Sequence, residues 1–120
     1  MTFDYDDQNI FAKILRGEIP NSTVFENDHA LAFKDIAPQA PVHVLVIPKG
    51  AYVSMDDFAA NASVAEQAGF FAAIAAVCEM SDIAQGFRAI ANARVHGVQD
   101  VPHFHMHILG GKPLGRMLQD

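Results

Sequence analysis

The chain has 120 residues, 51% of them hydrophobic and 18% charged, which makes one domain with enough apolar side chains for a core and too many for a disordered segment. Eight Lys and Arg against 14 Asp and Glu give a formal charge of −6, so the overall basic footprint of a nucleic-acid binder is excluded and any phosphate must be held by a few aimed groups. Cys78 is the only cysteine, which excludes an intrachain disulfide and a Cys-rich zinc module.

The acidic N-terminus, residues 1–7, lacks the basic patch and apolar run of a signal peptide. The longest apolar run, residues 68–78, is 11 residues long, against about 20 for a membrane span. The expectation is a single domain over residues 1–120, soluble and cytoplasmic, with no membrane or nucleic-acid partner.

Residues 9–16 have apolar positions at i, i+1, i+4 and i+5, a short amphipathic helix stopped by Gly17. Residues 22–25 are β-branched and aromatic and read as a strand; Asn27-Asp28 is turn chemistry, and Leu31-Ala32-Phe33 reads as the second strand of a hairpin. Pro38 and Pro41 bracket a loop. Residues 42–48 are almost continuously apolar, a central strand covered on both faces, with His43 the polar exception. Ser63 and Glu66 have the spacing of a capping box, which opens a long helix to about Met80. Phe71, Ala75 and Cys78 share one face of it, and Phe70 and Val77 form a second stripe. A helix apolar on two sides predicts burial on both, with a partner subunit as one explanation for the second stripe, Phe70 and Val77. Residues 87–93 read as a further strand, residues 94–102 as a polar loop, and residues 103–109 as the last strand, stopped by Gly110-Gly111. Connections this short favour an antiparallel α+β fold.

His103, His105 and His107 recur at spacing two. On a strand they project from one face along about 13 Å, while Phe104, Met106 and Ile108 point to the core. Three readings are open. The first is a polar, exposed strand face. Two of the histidines with His43 or His96 can hold a metal, although outer positions of such a run stand far apart. Or one imidazole attacks a phosphorus centre while its neighbours orient it and bind charge.

His-x-His-x-His followed by apolar residues resembles the signature of the histidine triad (HIT) superfamily, and the chain is similar to its Hint branch over further blocks. These are Asn9-Ile10-Phe11 with Lys13-Ile14 and Arg16 to Pro20; Leu31-Ala32-Phe33, Asp35-Ile36 and residues 38–49; and His107-Ile108-Leu109-Gly110-Gly111. The resemblance implies a five-stranded antiparallel sheet with a short N-terminal helix and one long helix, joined to a second sheet across a homodimer. It implies binding of purine nucleoside monophosphates of the AMP type. It further implies hydrolysis of phosphoramidates such as adenosine 5′-monophosphoramidate and AMP-lysine, with no metal or cofactor.

Residue by residue, the resemblance gives His105 the attack on the α-phosphorus, forming a nucleotidyl-histidine that water resolves. His107 falls at the phosphate oxygens, and His43 and His103 are supporting histidines. Asp35 matches the carboxylate that holds the ribose hydroxyls. Phe11, Ile14, Ile19, Phe33, Ile36 and Leu45 match the apolar base pocket, and Asn92 and Gln99 the polar contacts near the phosphate. Three positions depart from the branch: Asp100, a carboxylate where animal members have serine and a candidate for the leaving group; Pro102, where the branch has tyrosine; and Val98, where it has glycine. The alternatives are dinucleoside polyphosphate hydrolysis or nucleotidyl transfer within the same superfamily, and a nucleotide-binding regulatory protein whose turnover is incidental. His107 stands where the polyphosphate hydrolases carry glutamine.

Overall fold

The computed structural model describes residues 2–118. Helix α1 (Ile10–Leu15) starts at Asn9, whose side chain accepts from the Ala12 N–H, and stops at Gly17, where φ is +79°. Strands β1 (Thr23–Glu26), β2 (Ala30–Lys34) and β3 (Val42–Pro48) follow. Then come α2 (Met55–Asn61), α3 (Val64–Met80), β4 (Phe87–Ala91) and β5 (Met106–Gly110). The five strands form one sheet in the order β1-β2-β3-β5-β4, antiparallel at every pairing. β3, the most apolar strand, is therefore central, as its composition demands.

Side-chain alternation divides the sheet into two apolar layers. Ala30, Ala32, Val44, Val46, Phe104 and Ile108 pack with Phe58, Phe70, Ala73 and Val77 on the face covered by α3. Phe70 stacks on Phe104 with ring centroids 5.0 Å apart, and Phe58 lies 5.3 Å from Phe104. Leu31, Phe33, Leu45 and Ile47 face the other way, where Phe11 and Ile14 of the short α1 meet them. α1 covers only part of that face, and the histidines occupy the rest. No helix among the described residues is long and apolar enough to cross a membrane.

The capping box is present: Ser63 accepts from the Glu66 N–H and Glu66 from the Ser63 N–H. The two stripes of α3 are reversed relative to expectation. Phe70, Ala73 and Val77 face the sheet, with Phe70 1% exposed, while Phe71 is 61% exposed. A helix apolar all round has no periodicity from which to choose its inner face. Gly69 helps to choose it, because a Cβ there would lie 2.8 Å from the His29 ring and only glycine lets α3 approach the β1–β2 turn.

Two further differences concern the site. The short helix α2 was not expected. The last strand begins at Met106, not His103, and His103 lies in a bend. Pro102 has no N–H for a ladder, the His103 N–H turns back to the Val101 carbonyl at 2.9 Å, and the Phe104 N–H reaches the Tyr52 carbonyl at 2.7 Å.

Candidate active site

The site is assembled from β5 and its lead-in, the start of β3, the end of β4, and α1. Its four histidines belong to one cluster. His105 and His107 ring centroids are 5.1 Å apart, and His43 and His107 5.2 Å. Phe11 of α1 stands edge-on to both His105, at 4.9 Å, and His103, at 6.4 Å. The three triad histidines thus share one side although only His107 belongs to the ladder.

The hydrogen bonds fix the protons. Nδ1 of His105 lies 2.7 Å from the His103 carbonyl, which can only accept, so this nitrogen carries hydrogen. Burial lowers the pKa of His105, which keeps the ring neutral. Nε2 then holds a free lone pair and has no hydrogen-bond partner among the described residues. The accepting carbonyl belongs to the same peptide unit as the Phe104 N–H held by Tyr52. Its direction is therefore anchored from both ends.

A second chain of bonds fixes His107. The Gln39 backbone N–H donates to Nδ1 of His43 at 3.0 Å, so the hydrogen of neutral His43 sits on Nε2. That Nε2 lies 3.0 Å from Nδ1 of His107, which accepts it and leaves the His107 hydrogen on Nε2. His107 is pushed down to about 4, first by burial and then by His105 and His43; His103 is pushed down to about 4, chiefly by burial. His43 is also lowered by burial, against the pull of Asp35. The result is one imidazole with an open Nε2 lone pair beside another that presents a neutral N–H.

A histidine whose folded value lies below its free value of 6.5 binds protons more readily in the unfolded chain. The stability tied to His103 and His107 is therefore complete above about pH 6.5 and is lost as pH falls through about 4. The melting temperature is expected to fall across that window and to be flat just above it. A midpoint that stays constant from neutral pH to below pH 4 contradicts this.

Asp35, His43 and His107 bring one ligand atom each within 4.8 Å of one another. A cation here would have to displace the hydrogen shared between the two rings. His43 Nδ1 is occupied by the Gln39 N–H, so His43 Nε2 bears hydrogen, and His107 Nδ1 receives that hydrogen.

Asp35 accepts the Ala37 N–H at 2.8 Å through one oxygen and places the other 3.4 Å from His43 Nε2. Phe11, Ile14, Phe33 and Leu45 form one buried cluster, with Ile19 packed against it. Ile36 stands apart at 98% exposure on the loop after β2. Asn92 follows β4 directly; β4 pairs Ile90 with His107, so alternation puts Asn92 on the histidine side of the sheet. Asp100 is exposed, and its charge acts on His105 and His107. The Gln99 amide is engaged by its own loop: it donates to the Val53 and Val101 carbonyls at 2.6 and 2.9 Å and accepts the Arg94 N–H. Val98 adopts φ +53°, a strained conformation for a β-branched residue.

Three contributors escaped the sequence reading. The Arg94 guanidinium holds both oxygens of Asp56, at 3.1 and 2.8 Å, and ties residues 92–102 to the start of α2. Tyr5 places its hydroxyl 2.6 Å from His103 Nδ1. The Tyr52 carbonyl anchors the peptide before His105. A hollow of about 730 Å³ lies beyond the start of β4, lined by residues 82–88 and 111–114, and contains none of the histidines.

A neutral, backbone-oriented imidazole with an N–H donor beside it has the parts that attack on a phosphorus centre requires. Comparison with known proteins gives the lineage. Residues 16–114 match the HIT domain family. A purine nucleoside phosphoramidase of Escherichia coli is 46% identical over 115 residues, 93% of this chain and 94% of that protein. A HIT-like protein of Azospirillum brasilense is 53% identical over 119 residues, 98% of each chain. Adenylylsulfatase HINT1 of Arabidopsis thaliana is 38% identical over 91% of this chain and 75% of that one. A HIT family hydrolase from Clostridium thermocellum superposes with a TM-score of 0.84 at 37% identity, covering 94% of this chain and 99% of that one. The chain belongs to the HIT family.

Proposed function

We propose that the protein hydrolyses the P–N bond of purine nucleoside 5′-phosphoramidates, such as adenosine 5′-monophosphoramidate or AMP-lysine, through a nucleotidyl intermediate on His105. The 2.7 Å bond from His105 Nδ1 to the His103 carbonyl carries the reading, because it leaves Nε2 as the attacking atom. The Escherichia coli phosphoramidase relative supports the leaving group. The Arabidopsis relative, named an adenylylsulfatase, shares the adenylyl half of such a substrate.

In the first step the Nε2–P bond forms and the P–N bond breaks, the amine departing with a proton. In the second, water attacks phosphorus, the Nε2–P bond breaks, and the nucleoside monophosphate leaves. His107 Nε2–H donates to a phosphate oxygen, where negative charge grows. Asp35 accepts from the ribose hydroxyls, and the cluster of Phe11, Ile14, Ile19, Phe33 and Leu45 takes the base. Asn92 approaches the phosphate. Asp100 at the mouth attracts a cationic amine or passes it a proton.

The test is turnover of a fluorogenic adenosine phosphoramidate by the purified protein. Hydrolysis unchanged by prolonged chelation is expected. Activity lost on chelation and restored by zinc would move the site to metal chemistry. Turnover of a diadenosine polyphosphate with none of the phosphoramidate would favour the polyphosphate alternative.

Replacing Asp35 by alanine should weaken binding of AMP far more than of 2′-deoxy-AMP. The coupling should be about 1–3 kcal/mol, the range for hydrogen bonds to a charged group. Calorimetric titration of both nucleotides measures it, and equal losses would remove Asp35 from the ribose.

The protein is also proposed to pair with a second copy. β4 is an edge strand carrying the half-exposed Phe87, and Val64 and Phe71, at i and i+7, leave an apolar face on α3 exposed.

A further inference from the structure

We propose that Tyr5 is a positioning residue for the nucleophile, acting through His103; the inference rests on the phosphoramidate-hydrolase reading. The segment before α1 is stitched down. The Asn9 side chain donates to the Asp6 carbonyl at 2.8 Å, the Gln8 N–H to the Asp6 side chain at 2.9 Å, and Arg16 to the Asp7 carbonyl at 2.8 Å. These bonds hold the Tyr5 ring edge-on to His103, with centroids 5.6 Å apart.

His103 is fully buried and satisfied at every polar atom. Its Nε2 lies 2.8 Å from the Pro48 carbonyl, which only accepts, so Nε2 bears the hydrogen. Nδ1 is then an acceptor, and the Tyr5 hydroxyl at 2.6 Å is its donor. Residue 103 lies before the β5 ladder, so no strand pairing fixes it. Its ring is pinned between Tyr5 and Pro48, and its carbonyl sets the direction of His105 Nδ1. The other groups packed on it are the Phe11 ring from α1 and His105 from its own segment. Among the described residues, Tyr5 is thus the side chain that hydrogen-bonds His103 Nδ1 and holds the tautomer that the Pro48 carbonyl selects. No periodicity reveals it, because the partners are 98 positions apart.

Tyr5→Phe keeps the ring and removes only the donor. The expected result is a fall in kcat of about tenfold at unchanged KM, the mark of a misaimed reacting group. A second readout needs no substrate: nitrogen-15 spectra of the histidine rings. In the wild type, His103 Nδ1 should show a hydrogen-bonded acceptor shift and resist protonation. In Tyr5→Phe that shift should move and the ring should take a proton at higher pH. A Tyr5→Phe protein with unchanged kcat and unchanged His103 signals, beside an active wild type, overturns the assignment alone. A lower melting temperature with those signals unchanged marks a structural role only and also overturns it. Wild-type protein with no phosphoramidate turnover overturns the functional reading, and the positioning role of Tyr5 with it.

Discussion

His105→Ala should abolish phosphoramidate turnover, by about four orders of magnitude or more, while leaving nucleotide binding nearly intact. In the proposed reaction the nucleophile is one atom, Nε2, the nitrogen left open by the bond from Nδ1 to the His103 carbonyl, and without it no nucleotidyl intermediate can form. The groups proposed to bind the nucleotide stand elsewhere: the apolar cluster under α1, Asp35 after β2, and His107 with its proton set by His43 and Gln39. The substitution also strands the His103 carbonyl, which should cost about 1–3 kcal/mol of stability. Single-turnover rates, read beside calorimetric AMP affinity, separate the two effects. Retention of even a tenth of wild-type turnover would mean that phosphorus is attacked by another group.

Charge on the two neighbouring phenylalanines of α3 should have opposite outcomes. Phe70 is 1% exposed and stacked between Phe58 and Phe104, so truncating it to alanine should cost about 3–5 kcal/mol. Aspartate there adds a buried unpaired charge, enough against a total stability of about 5–15 kcal/mol to unfold the domain. Phe71, 61% exposed, should tolerate aspartate within about 0.5 kcal/mol in an isolated chain. If that face binds a second copy, Phe71→Asp should yield a folded monomer. Denaturant melts and sedimentation read both. A folded Phe70→Asp protein would contradict the packing of α3.

Much of this fold is written locally. The alternation of His103, His105 and His107 with Phe104, Met106 and Ile108 tells the site side from the core side, and the structure keeps that division even where the ladder stops. The run from Val42 to Pro48 marks the central strand, and Ser63 with Glu66 marks the start of α3. The blocks that resemble the HIT family locate the cluster of Phe11, Ile14, Phe33 and Leu45 before any coordinates.

What escapes is decided by contacts between distant residues. The strand starts late because the peptide before His105 bonds to Tyr52, and the orientation of His103 depends on Tyr5. The inner face of α3 is chosen by what its neighbours fill, since the helix itself is apolar all round. Helix α2 had a local signal, the Ser54-x-x-Asp57 spacing; Asp57 accepts the Val53 N–H and Asn61 bonds to it at the far end. A seven-residue helix gives periodicity too little length to register. Gln99 shows the opposite limit. Its place in the loop was legible, but its amide turns to Val53 and Val101, a direction no spacing encodes.

The stereochemical course at phosphorus tests the central claim most directly. A phosphoramidate substrate made chiral at phosphorus, hydrolysed in isotopically labelled water, reports how many in-line displacements occur. Attack by His105 followed by attack of water inverts the centre twice, and the account predicts net retention. Net inversion would mean that water attacks phosphorus in a single step, and would remove His105 as nucleophile.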